Sequence, residues 1–347
     1  MRKIRIEVVQ MVTQILDPNE LIVTTSSRSA FRRCPLPQKW YWQYVMGYKE
    51  KNVADALFFG IGVHEALAEW YLLGRKRGPH PADTFAKWHG DEVREIRANY
   101  ADRDSEYGID EAKYENSLDL GISMLEGYID EYGRDPDWSV IAIERPFKVR
   151  VIKDGKVIAY FMSTWDGVYR DRRDDRIYLM EHKTAAQIQL AYLELDDQGG
   201  IYWALAGSIL RSEGVLKEGE EIAGITYNFL RKSVADERPR NAGGEYLNKN
   251  GTVSKKQPPD RYVRELVERS ARERKTQMDR LADEVWLMKG MIEGTIPVTK
   301  NTTKECSFCP FFLSCKMHER GGNAYKSVLK ADFTISNPFD RYLKSAA

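Results

Sequence analysis

The sequence contains no apolar run long enough to span a bilayer. Its opening, MRKIRIEVVQ, has neither the apolar h-region nor the small-residue cleavage site of a secretory signal. No membrane association is expected, and a cytoplasmic location is. Net charge is nearly absent: 53 Lys and Arg stand against 52 Asp and Glu, leaving +1. With no global field to attract a polyanion, any nucleic-acid contact must come from local patches. There is no internal repeat and no GxxxxGK[ST] loop, so the chain carries no recognisable ATP-driven motor. Cysteine is scarce, four in 347 residues. In a reducing compartment that argues against a disulfide framework and leaves metal binding or burial.

What is present fits a globular chain, with 42% apolar residues set against 30% charged. The length suits one elaborated domain or two intertwined ones. Two segments are locally basic, SSRSAFRRCPLPQK and RPRNAGGEYLNKNGTVSKK. The second carries Arg238, Arg240, Lys249, Lys255 and Lys256 against Glu245 alone. It reads either as a solvated loop or as a polyanion contact.

Apolar spacing predicts helices over 27–46 and 54–75, the first kinked or broken at Pro35 and Pro37. Two more follow at about 82–100 and 110–132. From 139 to 184 the period falls to two, with DG at 154–155 marking a hairpin and DRRDD turning a second strand pair. A helix near 195–211, a strand near 225–231 and a long charged helix over about 260–293 complete the body. The expected fold is α/β, a mixed central sheet flanked by helices, with the cysteines of ECSFCPFFLSCK in a C-terminal appendage.

A turn centred on Arg173 and Asp174 sets Asp166 opposite Glu181. Cross-strand carboxylates repel unless a cation offsets them. Lys183 lies two residues on, so it shares a face with Glu181. Two hard oxygen ligands suit Mg²⁺ or Mn²⁺. The apolar YLM before Glu181 marks a central strand, where acids need a partner or a metal. Taken alone, D…ExK also fits a surface strand of alternating charge. His64 in GIGVHEALAEWY reads as a ligand or as a core histidine, and Gly60 and Gly62 permit close backbone packing beside it. Gln198 and Tyr202 stand four apart on one helical face, a spacing that ordinary helix surface or core also provides.

Together these residues resemble the RecB-type branch of the PD-(D/E)xK nuclease superfamily. The order is His64 on a helix, Asp166 on one strand, Glu181 and Lys183 on the next, then Gln198-x-x-x-Tyr202 on the following helix. SSRSAFRRCPLPQKWYWQYVMGY is similar to the family's opening, a serine-led helix with Cys-Pro followed by aromatics. The resemblance spans about 26–318 and implies a restriction-endonuclease-like fold. It implies that His64, Asp166 and Glu181, with the backbone carbonyl of His182, coordinate one or two Mg²⁺ or Mn²⁺ ions. Lys183 would orient or activate the attacking water, while Gln198 and Tyr202 steady the active-site strand and contact DNA phosphate. In the iron-sulfur members, including CRISPR-associated RecB-like exonucleases and AddB-type nuclease domains, one cysteine before the core joins three after it. That implies a [4Fe-4S] cluster on Cys34, Cys306, Cys309 and Cys315. Four thiolates also suit tetrahedral zinc, and the preference for iron comes from the resemblance.

The expected activity is a metal-dependent DNA exonuclease, with endonuclease activity also compatible, acting in recombination, repair or end processing. The alternative is a non-catalytic iron-sulfur DNA-binding or assembly subunit that retains the nuclease fold. The implied partners are single- or double-stranded DNA ends and a helicase, a recombinase or further copies of the chain. The expected division is an N-terminal extension at 1–25, a nuclease core at 26–295, a cluster segment at 296–320 and a tail at 321–347. The core holds a helical insertion at about 82–135 and a basic loop at about 238–259.

Overall fold

The alternation that starts at Trp138 builds two 16-residue strands at the centre of the sheet. The computed structural model describes residues 4–8, 21–34, 39–51, 55–101, 111–297 and 301–340. In chain order these form β1 (Ile4–Val8), β2 (Ile22–Thr24), α1 (Thr25–Arg33), β3 (Tyr48–Glu50), α2 (Asp55–Trp70), α3 (Pro81–Ala101) and α4 (Glu111–Tyr132). Then come β4 (Trp138–Lys153), β5 (Lys156–Asp171), β6 (Arg176–Ala185), α5 (Asp197–Ser212), β7 (Ile222–Arg231) and β8 (Tyr262–Glu268). The chain continues through α6 (Ala271–Ile292), α7 (Phe312–Glu319), α8 (Ala324–Asp332) and β9 (Phe333–Ile335).

The main sheet runs β1-β4-β5-β6-β7-β8, with β2 added in parallel to β5. Asp154 and Gly155 both take positive φ, +51° and +78°, which is the turn that a DG hairpin calls for. At the second turn the carboxylates of Asp171 and Asp174 accept the backbone N–H groups of Arg173 and Arg176. β6 and β7 are parallel, so a crossover must join them, and α5 supplies it.

Each face of the sheet is covered by helices. Phe31 of α1, Trp203 of α5 and Val285 of α6 pack on Phe161, Trp165 and Leu179. On the other face Val63 and Leu67 of α2, Phe85 of α3 and Met124 of α4 cover Tyr178 and Met180. The close approach expected at Gly62 is present: a Cβ there would lie 2.3 Å from the Trp88 ring, so any side chain would push α3 off α2.

One expectation changes. The helix over about 260–293 is a strand followed by a helix: YVRELVE alternates, pairs with β7, and α6 starts only after the Ser270–Glu273 capping box. Within 1–25, β1 pairs with β4 and β2 with β5. Within 321–340, β9 returns to pair with β3, and Tyr325 stacks on Trp42 at 5.9 Å. The helix over 27–46 is broken, as expected: α1 ends at Arg33, and a π-helical turn occupies Tyr41–Val45; Pro35 and Pro37 themselves lie outside the described residues.

The two basic segments also differ from a free patch. In the first, Arg28 and Arg32 are held by Glu284 at 2.6 and 2.8 Å, tying α1 to α6. In the second, Arg238 pairs with Asp236 and Arg240 lies over the Tyr246 ring. The Gln257 side chain pins that loop by accepting from Tyr246 N and donating to Ser254 O. Lys249, Lys255 and Lys256 remain exposed on it. The connection that carries it leaves the sheet where Ala185 pairs with Arg231, two residues past Lys183.

Candidate active site

The site forms where β5 and β6 part. Their ladder runs from Asp171↔Arg176 to Gly167↔Met180, so the next pair in the same register is Asp166 and Glu181, as the turn position predicts. In place of another ladder bond, the Asp166 carboxylate accepts the His182 N–H at 2.5 Å through Oδ2. Its Oδ1 faces His64 Nδ1 at 3.1 Å, which brings α2 onto the strands.

Glu181 is oriented from the other side. Lys183 Nζ donates to Glu181 Oε1 at 2.6 Å and to Gln198 Oε1 at 2.9 Å, and Gln198 Nε2 donates to the same Glu181 oxygen at 2.9 Å. Gln198 is placed by the start of α5. There Asp196 caps the helix by accepting Gly199 N–H at 3.0 Å and the Tyr227 hydroxyl at 2.9 Å. Gly199 is required at that point, since a Cβ would fall 2.2 Å from the Tyr227 oxygen.

Tyr202 lies in the core. It is 4% exposed, and its hydroxyl meets Ser163 at 2.7 Å and Gln198 at 3.4 Å. In this arrangement it braces α5 against β5.

The charges are strongly interdependent. Burial pushes the Asp166 carboxyl up, but the His64 charge and hydrogen bond outweigh it and hold it at about 2. Burial disfavours protonated His64, yet Asp166 beside it raises the ring to about 9. Burial raises Glu181 to about 7, with the Asp166 charge adding to it and Lys183 opposing it. Burial works against the Lys183 ammonium too, but Glu181 keeps its pKa above the usual lysine value. His182 is buried and depressed to about 3, so its ring is neutral.

Two groups escaped the sequence reading. The first is Glu144 of β4. Its carboxylate, that of Asp166 and a nitrogen of His64 all lie within 4.8 Å of one another, the one such metal-holding group among the described residues. Glu181 is not in that trio. The second is a buried polar network under β6. Asn228 Nδ2 donates to His182 Nδ1 at 2.8 Å, Arg264 Nε to Asn228 Oδ1 at 3.2 Å, and Arg264 Nη2 to Asp135 Oδ2 at 2.9 Å. This chain fixes the ring of the residue whose N–H holds Asp166.

The four cysteines gather at a separate place. Burial raises the Cys34 thiol, and the nearby Cys315, Cys309 and Cys306 add to the effect. Cys309 and Cys315 pack against a small core of Trp42, Phe311, Leu329 and Phe333. Among the described residues, no three of these sulfurs lie mutually within 4.8 Å.

Comparison with known families then decides the class: residues 23–316 match the model of the PD-(D/E)XK nuclease superfamily. The chain belongs to that superfamily. PD-(D/E)XK nucleases use divalent metals such as Mg²⁺ and act on DNA. The donor set here, two carboxylates and an imidazole, fits such an ion. Among solved structures, one from Eubacterium rectale, named as a candidate exonuclease, aligns over 89% of this chain and 95% of its own at 11% identity and a TM-score of 0.43. Comparison with curated proteins finds no match. No helix among the described residues is long and apolar enough to cross a membrane.

Proposed function

We propose that this PD-(D/E)XK protein is a RecB-like, Mg²⁺- or Mn²⁺-dependent DNA exonuclease that carries a [4Fe-4S] cluster and works in recombination, repair or the processing of DNA ends. The observation that carries the catalytic reading is the junction of His64, Asp166, Glu181 and Lys183 at the parting of two strands, with Gln198 locking the last two together. A divalent ion held by His64, Asp166, Glu181 and the His182 carbonyl would polarise the phosphodiester and the attacking water. With Glu181 at 2.6 Å the Lys183 amine is kept as an ammonium. Its role is then to orient water and to stabilise charge growing on the phosphate oxygens, rather than to abstract a proton.

The test uses end-labelled single- and double-stranded DNA and a covalently closed circle, each with Mg²⁺ or Mn²⁺. Progressive shortening of linear DNA with the circle intact is the expected result. Cutting of the circle would make the enzyme an endonuclease, and no cleavage of any DNA would favour the non-catalytic subunit.

The cluster reading is supported by four thiols brought to one place from positions 34 and 306–315. Linking those positions closes nearly the whole chain, which restricts its unfolded state. Substituting Cys306→Ala is expected to remove iron and sulfide and weaken DNA binding. The melting temperature should fall by roughly 3 °C, the response of a chain this long to about 2 kcal/mol. Because β3–β9 pairing and the Trp42 core join the same ends without any metal, the loosening should concentrate in 301–340, as read by amide exchange. Stoichiometric zinc in the parent, or a Cys306→Ala protein as stable and active as the parent, would remove the cluster from the proposal.

A further inference from the structure

We infer that Glu144 is a direct ligand of a divalent cation in the active site, sharing the ion with His64 and Asp166. This rests on the metal-dependent reading above and adds to it a residue outside its D…ExK pattern.

The sheet itself lines up the donors. β4 and β5 pair Ile143 with Gly167 and Arg145 with Trp165, which leaves Glu144 opposite Asp166. Across the next gap Asp166 stands opposite Glu181, so three carboxylates lie abreast on three adjacent strands. Like charges in directly opposed positions repel, and a row of three persists best around a cation.

Distances favour Glu144 over Glu181 as the near partner. His64 Nδ1 is 3.1 Å from Asp166 Oδ1 and 3.9 Å from Glu144 Oε1. An octahedral Mg²⁺ or Mn²⁺ with ligand bonds of ~2.1 Å separates its donors by ~3.0 Å when adjacent and ~4.2 Å when opposite. Both spacings fall in that span, whereas 3.9 Å is too long for a hydrogen bond. Glu181 is engaged instead by Lys183 and Gln198. Two of the three donors also remain reachable: the side chains of His64 and Glu144 are 32% and 38% exposed, while that of Asp166 is 9% exposed.

The backbone adds a further sign. Glu144 takes φ +38° within a strand, a conformation that glycine adopts freely and glutamate does not. Strain of this kind persists where surrounding structure imposes it, and it clusters at ligand sites.

The test follows Mn²⁺ binding without DNA, by titration calorimetry and by the metal-induced shift in melting temperature, for the parent, Glu144→Gln and Glu144→Gly. Both variants are expected to bind Mn²⁺ at least tenfold more weakly, with most of the thermal shift lost. Without Mn²⁺, Glu144→Gly should melt no lower than the parent, since glycine accepts the φ and one repelling charge is gone. If Glu144 merely paired with His64, metal-free Glu144→Gly would melt lower and Mn²⁺ affinity would be unchanged, which overturns the assignment. A parent that binds no Mn²⁺ overturns the metal-dependent function itself. A parent that binds it, with variants that bind it equally, overturns Glu144 alone.

Discussion

Asp166→Ala is expected to lower DNA cleavage about a thousandfold or more while leaving the protein folded. The carboxylate has two tasks, one per oxygen. Oδ1 faces His64 and Oδ2 holds the His182 N–H at the mouth of the ladder. If Asp166 holds the proposed metal, its loss removes several kcal/mol of transition-state stabilisation, and each 1.36 kcal/mol is a factor of ten in rate. Two substitutions separate the tasks. Asp166→Ala also leaves a buried N–H unpaired, at a cost of about 1–3 kcal/mol, while Asp166→Asn keeps an acceptor there. The asparagine variant should therefore be as inactive as the alanine one but melt higher. Lys183→Ala should show a comparable loss of cleavage with the fold intact. Cleavage by both Asp166→Ala and Lys183→Ala at parental rates would place the chemistry elsewhere.

Arg264→Ala should produce the largest loss of stability, roughly 3–5 kcal/mol in urea denaturation, the range for stranding one member of a buried ion pair. Its guanidinium pairs with Asp135, donates to Tyr128 Oη at 2.8 Å and Tyr71 Oη at 3.2 Å, and lies 3.5 Å over the Tyr132 ring. The side chains of Arg264 and Asp135 are 16% and 6% exposed, so little water replaces the lost partner. Asp135 takes φ +44°, which asparagine tolerates better than most residues. Arg264→Met combined with Asp135→Asn should accordingly cost much less than the single changes summed. Activity should fall along with stability in Arg264→Ala, because Asn228 and then His182 lose their support. A cost below about 1 kcal/mol would show that this network does not bear on the fold.

The contrast between these two residues shows what a sequence can reveal. Asp166 and Glu181 flank a short turn with no bulge between them, so counting outward from Arg173 and Asp174 finds their pairing. Gln198 and Tyr202 follow from helical spacing, and Cys306, Cys309 and Cys315 from their closeness in the chain. Arg264 reads as one more charge in a polar segment. Its partners come from positions 71, 128, 135 and 228, and nothing local announces that they converge. Tyr202 is intermediate: its position on the helix was legible, but its burial depends on Ser163 of β5.

Local pattern alone determined the mixed sheet, its two turns, the D…ExK pair and the cysteine groups, because each is set by spacing within a few tens of residues. The tertiary structure decided what stands beside them. Counting back from the Asp154–Gly155 turn puts Glu144 opposite Trp165. The ladder instead passes from Ile152↔Val157 to Val151↔Ala159, leaving Ile158 as an extra residue that shifts the register by one and brings Glu144 opposite Asp166. A one-residue slip moves a strand's side chains to the other face of the sheet, and no periodicity in the sequence marks where the strand will bulge.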